Sequence, residues 1–172
     1  MATNDTSTFA AETIISDLQN AIRGKLAADT YLSGIDIFTP DDVSQDGTNK
    51  LPADIEERIN QALSSLKKGL CIIVALPVID SISPDSPGIY ADKVPVLIRV
   101  VENPQVNRGV NGTNIKRTMA TVRIMLRLQH FTYRDCTVIV ERAKRVPDNK
   151  ALIWDIQART ALNIPALDEN GE

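Results

Sequence analysis

One histidine, His130, and two cysteines, Cys71 and Cys136, are all that the 172-residue sequence offers toward a nucleophilic or zinc-binding centre. A zinc site needs a cluster of nitrogen and sulfur ligands, and Ser-His-acid or Cys-His catalysis needs a base held beside its nucleophile. A lone histidine and two dispersed cysteines meet neither requirement, and no nucleophile elbow accompanies them. His130 falls at the end of a predicted helix, where the dipole favours a cation, and reads as a structural or surface residue. The cysteines lie in the apolar runs LCIIVAL and CTVIV, where thiols act as small buried hydrophobes. Asp42-Val43-Ser44-Gln45-Asp46-Gly47 imitates the start of a calcium loop, but its twelfth position is Ala53 instead of a bidentate glutamate, so it reads as a solvated turn. Asp80, Asp85 and Asp92 could hold a metal only from a proline-rich loop without paired spacing. No catalytic, cofactor or metal residue is therefore expected.

Two features remain. In Asn107-Arg108-Gly109-Val110-Asn111-Gly112-Thr113 a glycine-bearing loop leads from a strand toward a helix, and its backbone amides could cradle an anion. The Gly-Lys-Ser/Thr ending of a nucleotide loop is missing, and a loop that fixes the start of the helix is the favoured reading. Beyond it Lys116, Arg123 and Arg127 recur at steps of seven and four, which lines them along one helix face with Arg117 beside them. Lys116 and Arg117 also occupy the first turn, where the dipole disfavours cations. A solvated charged face is one explanation. Another is a subunit interface that meets acidic groups such as Asp41, Asp42, Asp46, Asp80, Asp85 and Asp92 on a neighbour. Non-specific nucleic-acid binding is a third, weakened by a net charge of −3 and by the lack of aromatic residues interleaved with the stripe.

Elements must position these residues. Ala11, Ile14, Ile15, Leu18, Ile22 and Leu26 mark an amphipathic helix over about 9–28. GIDIF at 34–38 alternates like a strand. Leu51-Pro52 opens a second helix to Lys68, with acidic residues early, lysines late and Gly69 as its stop. LCIIVALPVID reads as a strand covered on both faces, antiparallel to VPVLIRVVEN across a long loop at 80–93. Ile115, Met119, Val122, Leu126 and Met125 mark a third helix over about 113–129, with Asn111 or Thr113 as cap. CTVIVERAKRV and ALIWDIQARTAL close the chain as strands joined at Pro147-Asp148-Asn149, the last with Leu152, Trp154, Ile156 and Ala158 on one face and Asp155, Gln157 and Arg159 on a wet one. The expectation is a single α+β domain over 9–165, a mainly antiparallel sheet of about five strands packed by three helices. Residues 1–8 and the acidic 166–172 are expected to be flexible. No secretory leader or membrane span is apparent, which points to synthesis in a cytoplasm.

The stretch VENPQVNRGVNGTNIKRTMATVRIMLRLQH, with a buried strand pair before it and two strands after it, resembles tail terminator or tail-completion (neck) proteins of tailed bacteriophages. In those proteins an E-N-P-x-V-N-R-type loop leads into a helix ending near Leu-x-His. The likeness is close over about 70–162 and covers the N-terminal helix in layout alone. The helix IKRTMATVRIMLR is more basic than that pattern. The resemblance implies a non-enzymatic virion protein without cofactor or membrane contact. It implies a homo-oligomeric ring, commonly a hexamer, which caps the tail tube and joins it to the head-tail connector or stopper, with DNA passing through the lumen. Other neck, connector or minor tail roles, or a nucleic-acid module built on helix 113–129, are the alternatives.

Overall fold

The computed structural model describes residues 7–39, 69–75, 89–108, 112–134, 136–148 and 151–164. The expected helix at 51–68, the calcium-like run at 42–47 and the acidic tail lie outside them. Helix α1 spans Ser7–Ala27, starting slightly earlier than its apolar period suggested. Leu18, Ile22 and Leu26 have no exposed surface, as steps of four on one face require. A chain of tight turns, Asp29 N–H to Leu26 O, Leu32 N–H to Asp29 O and Ile35 N–H to Leu32 O, then leads into strand β1, Asp36–Phe38.

Strands β2 (Leu70–Val74) and β3 (Ile89–Glu102) follow, then helix α2 (Arg117–Leu128) and strands β4 (Phe131–Tyr133), β5 (Cys136–Val146) and β6 (Leu152–Ile164). The six strands form one sheet in the order β1-β2-β3-β6-β5-β4. Only β1 and β2 are parallel; every other neighbour is antiparallel. The α+β expectation with a mainly antiparallel sheet therefore holds. There are six strands instead of about five, and two helices among the described residues. The extra strand, β4, pairs Phe131 with Val138 and Tyr133 with Cys136. It escapes pattern reading because three residues cannot display a period of two. Left-handed backbone at His130 (φ 61°) and Arg134 (φ 51°) turns the chain at its two ends.

Both helices pack on one face of the sheet. Leu18, Ile22 and Leu26 of α1 and Ala120, Ile124 and Leu128 of α2 join Leu70, Ile72, Val74, Val96, Ile98, Val100, Ile156 and Ala158 in one core. All five residues of β2 are buried, in keeping with its unbroken apolar sequence. Cys71 and Ile73 point the other way and join Val101, Ala151 and Ile153 in a smaller cluster. The outward face of β6 is therefore not uniformly wet, as its alternation suggested. Ile153 and Asp155 are buried there, and Asp155 is neutralised by Arg99 of the adjacent strand, Nε to Oδ1 at 2.6 Å and Nη2 to Oδ2 at 2.9 Å. A buried carboxylate needs such a partner.

Candidate functional site

The face of α2 that meets the core differs from the one marked by Met119, Val122 and Leu126, which the sequence offers as its apolar period. Ala120, Thr121, Ile124 and Leu128 are buried, whereas Met119 is 56% exposed, Val122 50% and Leu126 67%. Ile115 and Met125 are partly buried against the core. The sequence carries two apolar stripes on nearly opposite sides of this helix. Ala120, Thr121, Ile124 and Leu128 face the sheet and leave Met119, Val122 and Leu126 outside. Contacts at both ends of α2 fix this rotation.

At the start of the helix the anchor is Glu102, the last residue of β3. Glu102 is buried, and its carboxylate accepts hydrogen bonds from the Arg117 backbone N–H at 3.1 Å and from Arg117 Nη1 at 3.0 Å, while Lys116 Nζ lies 3.9 Å away. The helix begins at Arg117, several residues later than expected. Its N-cap, Lys116, makes no side-chain cap bond. Neither Thr113 nor any other local side chain caps it; Asn111 lies outside the described residues. Glu102 supplies from a neighbouring strand the negative charge that a helix N-terminus favours, and this accounts for two cations in the first turn. Burial pushes the Glu102 carboxyl upward, but hydrogen bonds from Asn107 and from the backbone and side chain of Arg117 outweigh it and hold the group below its ordinary value.

The loop between β3 and α2 is tied to the same carboxylate. Asn107 has no exposed surface; its Nδ2 donates to Glu102 Oε1 and to the Ile115 carbonyl, both at 2.9 Å, and its Oδ1 accepts from the Thr113 N–H and hydroxyl at 3.1 Å. Asn103 Oδ1 accepts the Gln105 N–H at 3.0 Å and closes a tight turn. Two glycines permit the close packing: a Cβ at Gly69 would come within 2.5 Å of the Asn107 nitrogen, and one at Gly112 within 2.8 Å of the Asn107 oxygen. Arg108 is exposed, and Gly109 and Asn111 lie outside the described residues. Among the described residues this loop is a latch. The chain's own carboxylate sits where a bound anion would be expected.

Near the other end of α2 the anchor is Asp29, in the turn after α1. Its side chain is fully buried. Arg127 Nε and Arg123 Nε both donate to Oδ2, the latter at 2.9 Å, and the Tyr31 N–H donates to Oδ1 at 2.8 Å. Burial pushes the Asp29 carboxyl upward, yet the bonds from Arg127, the Tyr31 amide and Arg123 prevail and bring its pKa to about 2. The Arg123 guanidinium also lies 5.8 Å from the Tyr31 ring centroid, within cation-π range.

The four cations of the stripe are thus gathered on one helix, with Lys116 and Arg117 beside Glu102 and Arg123 and Arg127 on Asp29. Of the acidic residues expected to oppose them, Asp41, Asp42, Asp46, Asp80 and Asp85 lie outside the described residues, and Asp92 falls in β3 with its side chain undescribed. Asp29 had no local signal that set it apart and acts across 94 residues or more; Glu102 is the glutamate of the E-N-P-x-V-N-R-type loop, but nothing in its spacing showed that it anchors the helix. Among the described residues no group of three or more His, Cys, Asp or Glu side chains could hold a metal, and no helix is long and apolar enough to cross a membrane. No family model, curated protein or solved structure matches the chain.

Proposed function

We propose that the chain is a structural subunit of a bacteriophage tail or neck, a terminator that assembles as a ring on the tail tube and joins it to the head-tail connector, without catalysis of its own. The observation that carries this reading is the latch. The Glu102–Thr113 segment, which bears the resemblance, uses its buried polar groups to fix the pitch and rotation of α2, and a rigidly presented helix is what a subunit contact needs. A nucleic-acid module built on the same helix is less favoured, because Arg117, Arg123 and Arg127 already hold carboxylates of this chain. Phosphate binding would have to compete with these pairs.

Size-exclusion chromatography with light scattering tests the proposal. The expected result is a closed oligomer of uniform mass that associates with purified tail tubes and appears as rings by negative stain. A strict monomer at high concentration that ignores tail tubes would overturn it.

A further inference from the structure

The outer face of α2 has a composition and charge that choose among ways of pairing. Met119, Val122 and Leu126 stand at steps of three and four, an apolar seam about two helical turns long. Along one edge of it run Arg123 and Arg127, whose side chains remain 35% and 42% exposed although each gives a hydrogen bond to Asp29. A guanidinium has five N–H donors, so each arginine keeps others available at this edge. Held by a buried carboxylate, they lose little freedom when they meet a further acid. Tyr31, 38% exposed and stacked near Arg123, extends the patch. Methionine, tyrosine and arginine around an apolar centre are the types that protein contacts favour.

Charge then selects the occupant. Two arginines share Asp29, and Lys116 and Arg117 share Glu102, so each anchor leaves one positive charge uncompensated. A two-fold pairing of this face with itself would set these surpluses against each other in a desolvated contact, which is unfavourable. Residues 116–127 hold four basic and no acidic residues; with Asp29 and Glu102 set against them this unit carries +2, so the chain's charge of −3 leaves −5 on the rest. We infer that the Met119-Val122-Leu126 seam, with its Arg123/Arg127 edge, docks head-to-tail on a different, acidic face of a second copy of this chain. The inference rests on the ring reading and specifies one side of its contact. A seam of two turns is small beside the roughly 800 Å² per partner that a stable pair buries. Such a contact gains from heterologous closure, in which every copy makes it twice.

The test uses the full chain and the variant Met119→Glu/Leu126→Glu, which places acid on the seam where the residues are already exposed. Val122→Ser serves as a milder second variant. Circular dichroism and melting temperature should match the parent. Association should weaken at least tenfold for each large side chain lost from the contact. Mixed with the parent before assembly, the double variant should prevent ring closure at substoichiometric ratios, because its acidic face still accepts a parent seam while its own seam cannot pass the contact on. Parent rings with unchanged variant assembly would overturn this inference and leave the ring reading standing. Parent rings unaffected by a variant that merely drops out would overturn the head-to-tail geometry. A parent that stays monomeric at high concentration would remove the ring reading itself. Should the double variant misfold, Val122→Ser decides the matter by the same mixing experiment.

Discussion

Asn107 Nδ2 donates to Glu102 Oε1 at 2.9 Å with both side chains almost wholly out of water. The bond joins a buried charge to a buried amide that also holds Ile115 and Thr113. Asn107→Ala removes every one of these contacts and leaves Glu102 with one donor fewer, and it is expected to cost about 2–4 kcal/mol. Asn107→Asp should be worse, since it presents a second carboxylate where a donor stood. Urea unfolding at neutral pH, monitored by circular dichroism, measures both. Equal stability of Asn107→Asp and the parent would contradict the role given to this residue.

Asp29 links stability to pH. Its folded pKa of about 2 lies below the ordinary 3.8. The stability it contributes is therefore complete above the ordinary value and is lost as pH falls from near 4 toward 2. Asp29→Asn should flatten the acid limb of a stability-pH profile in this window. It should also lower stability at pH 7, because Arg123 and Arg127 then crowd each other without an anion. Denaturant midpoints for both proteins between pH 7 and 2 test this. Parallel profiles would show that Asp29 does not set the acid limb.

These two carboxylates mark where the sequence stops being readable. The strands at 70–74, 136–146 and 152–164 and the later part of 89–102 are visible in β-branched runs and turns, although 89–93 reads as loop and belongs to β3, and α1 is visible in Leu18, Ile22 and Leu26, because period and core contact coincide there. In α2 they separate. Period alone cannot choose between the stripe of Met119, Val122 and Leu126 and that of Ala120, Ile124 and Leu128. The choice is made by Glu102 and Asp29, the latter nearly a hundred residues away from Arg127. Likewise Asp155 reads as an exposed polar position until Arg99 is set beside it on the neighbouring strand. The grouping of Lys116, Arg117, Arg123 and Arg127 on one helix was legible; the identity of their carboxylate partners was not.

Two glycines should respond in opposite directions to the same substitution. Gly69 has φ 74°, and a Cβ there would meet the Asn107 backbone at 2.5 Å. Gly69→Ala combines left-handed strain with a clash against atoms that cannot swing aside, and a loss of at least about 2–3 kcal/mol is expected. Gly24 lies in α1 with nothing within 4 Å of its added Cβ. Gly24→Ala should stabilise by roughly 0.5–1 kcal/mol through helix propensity. Thermal or denaturant unfolding of the pair gives the sign of each.

The cysteines offer a probe of the second cluster that does not depend on mutation. Cys71 is wholly buried on the sheet face away from α1 and α2, beside Ile73, Val101 and Ile153. Burial, reinforced by the Asp36 carboxylate, pushes its thiol pKa from 9.0 up to about 12. The thiolate is the reactive form, so at pH 8 both its scarcity and its inaccessibility oppose alkylation. Cys136, 5% exposed in the main core, is shielded by packing. Iodoacetamide at pH 8 should leave Cys71 unmodified in the native protein over times in which both cysteines react completely in urea, as peptide mass mapping would show. Rapid native labelling of Cys71 at pH 8 would mean that the cover over Val101 and Ile153 opens readily.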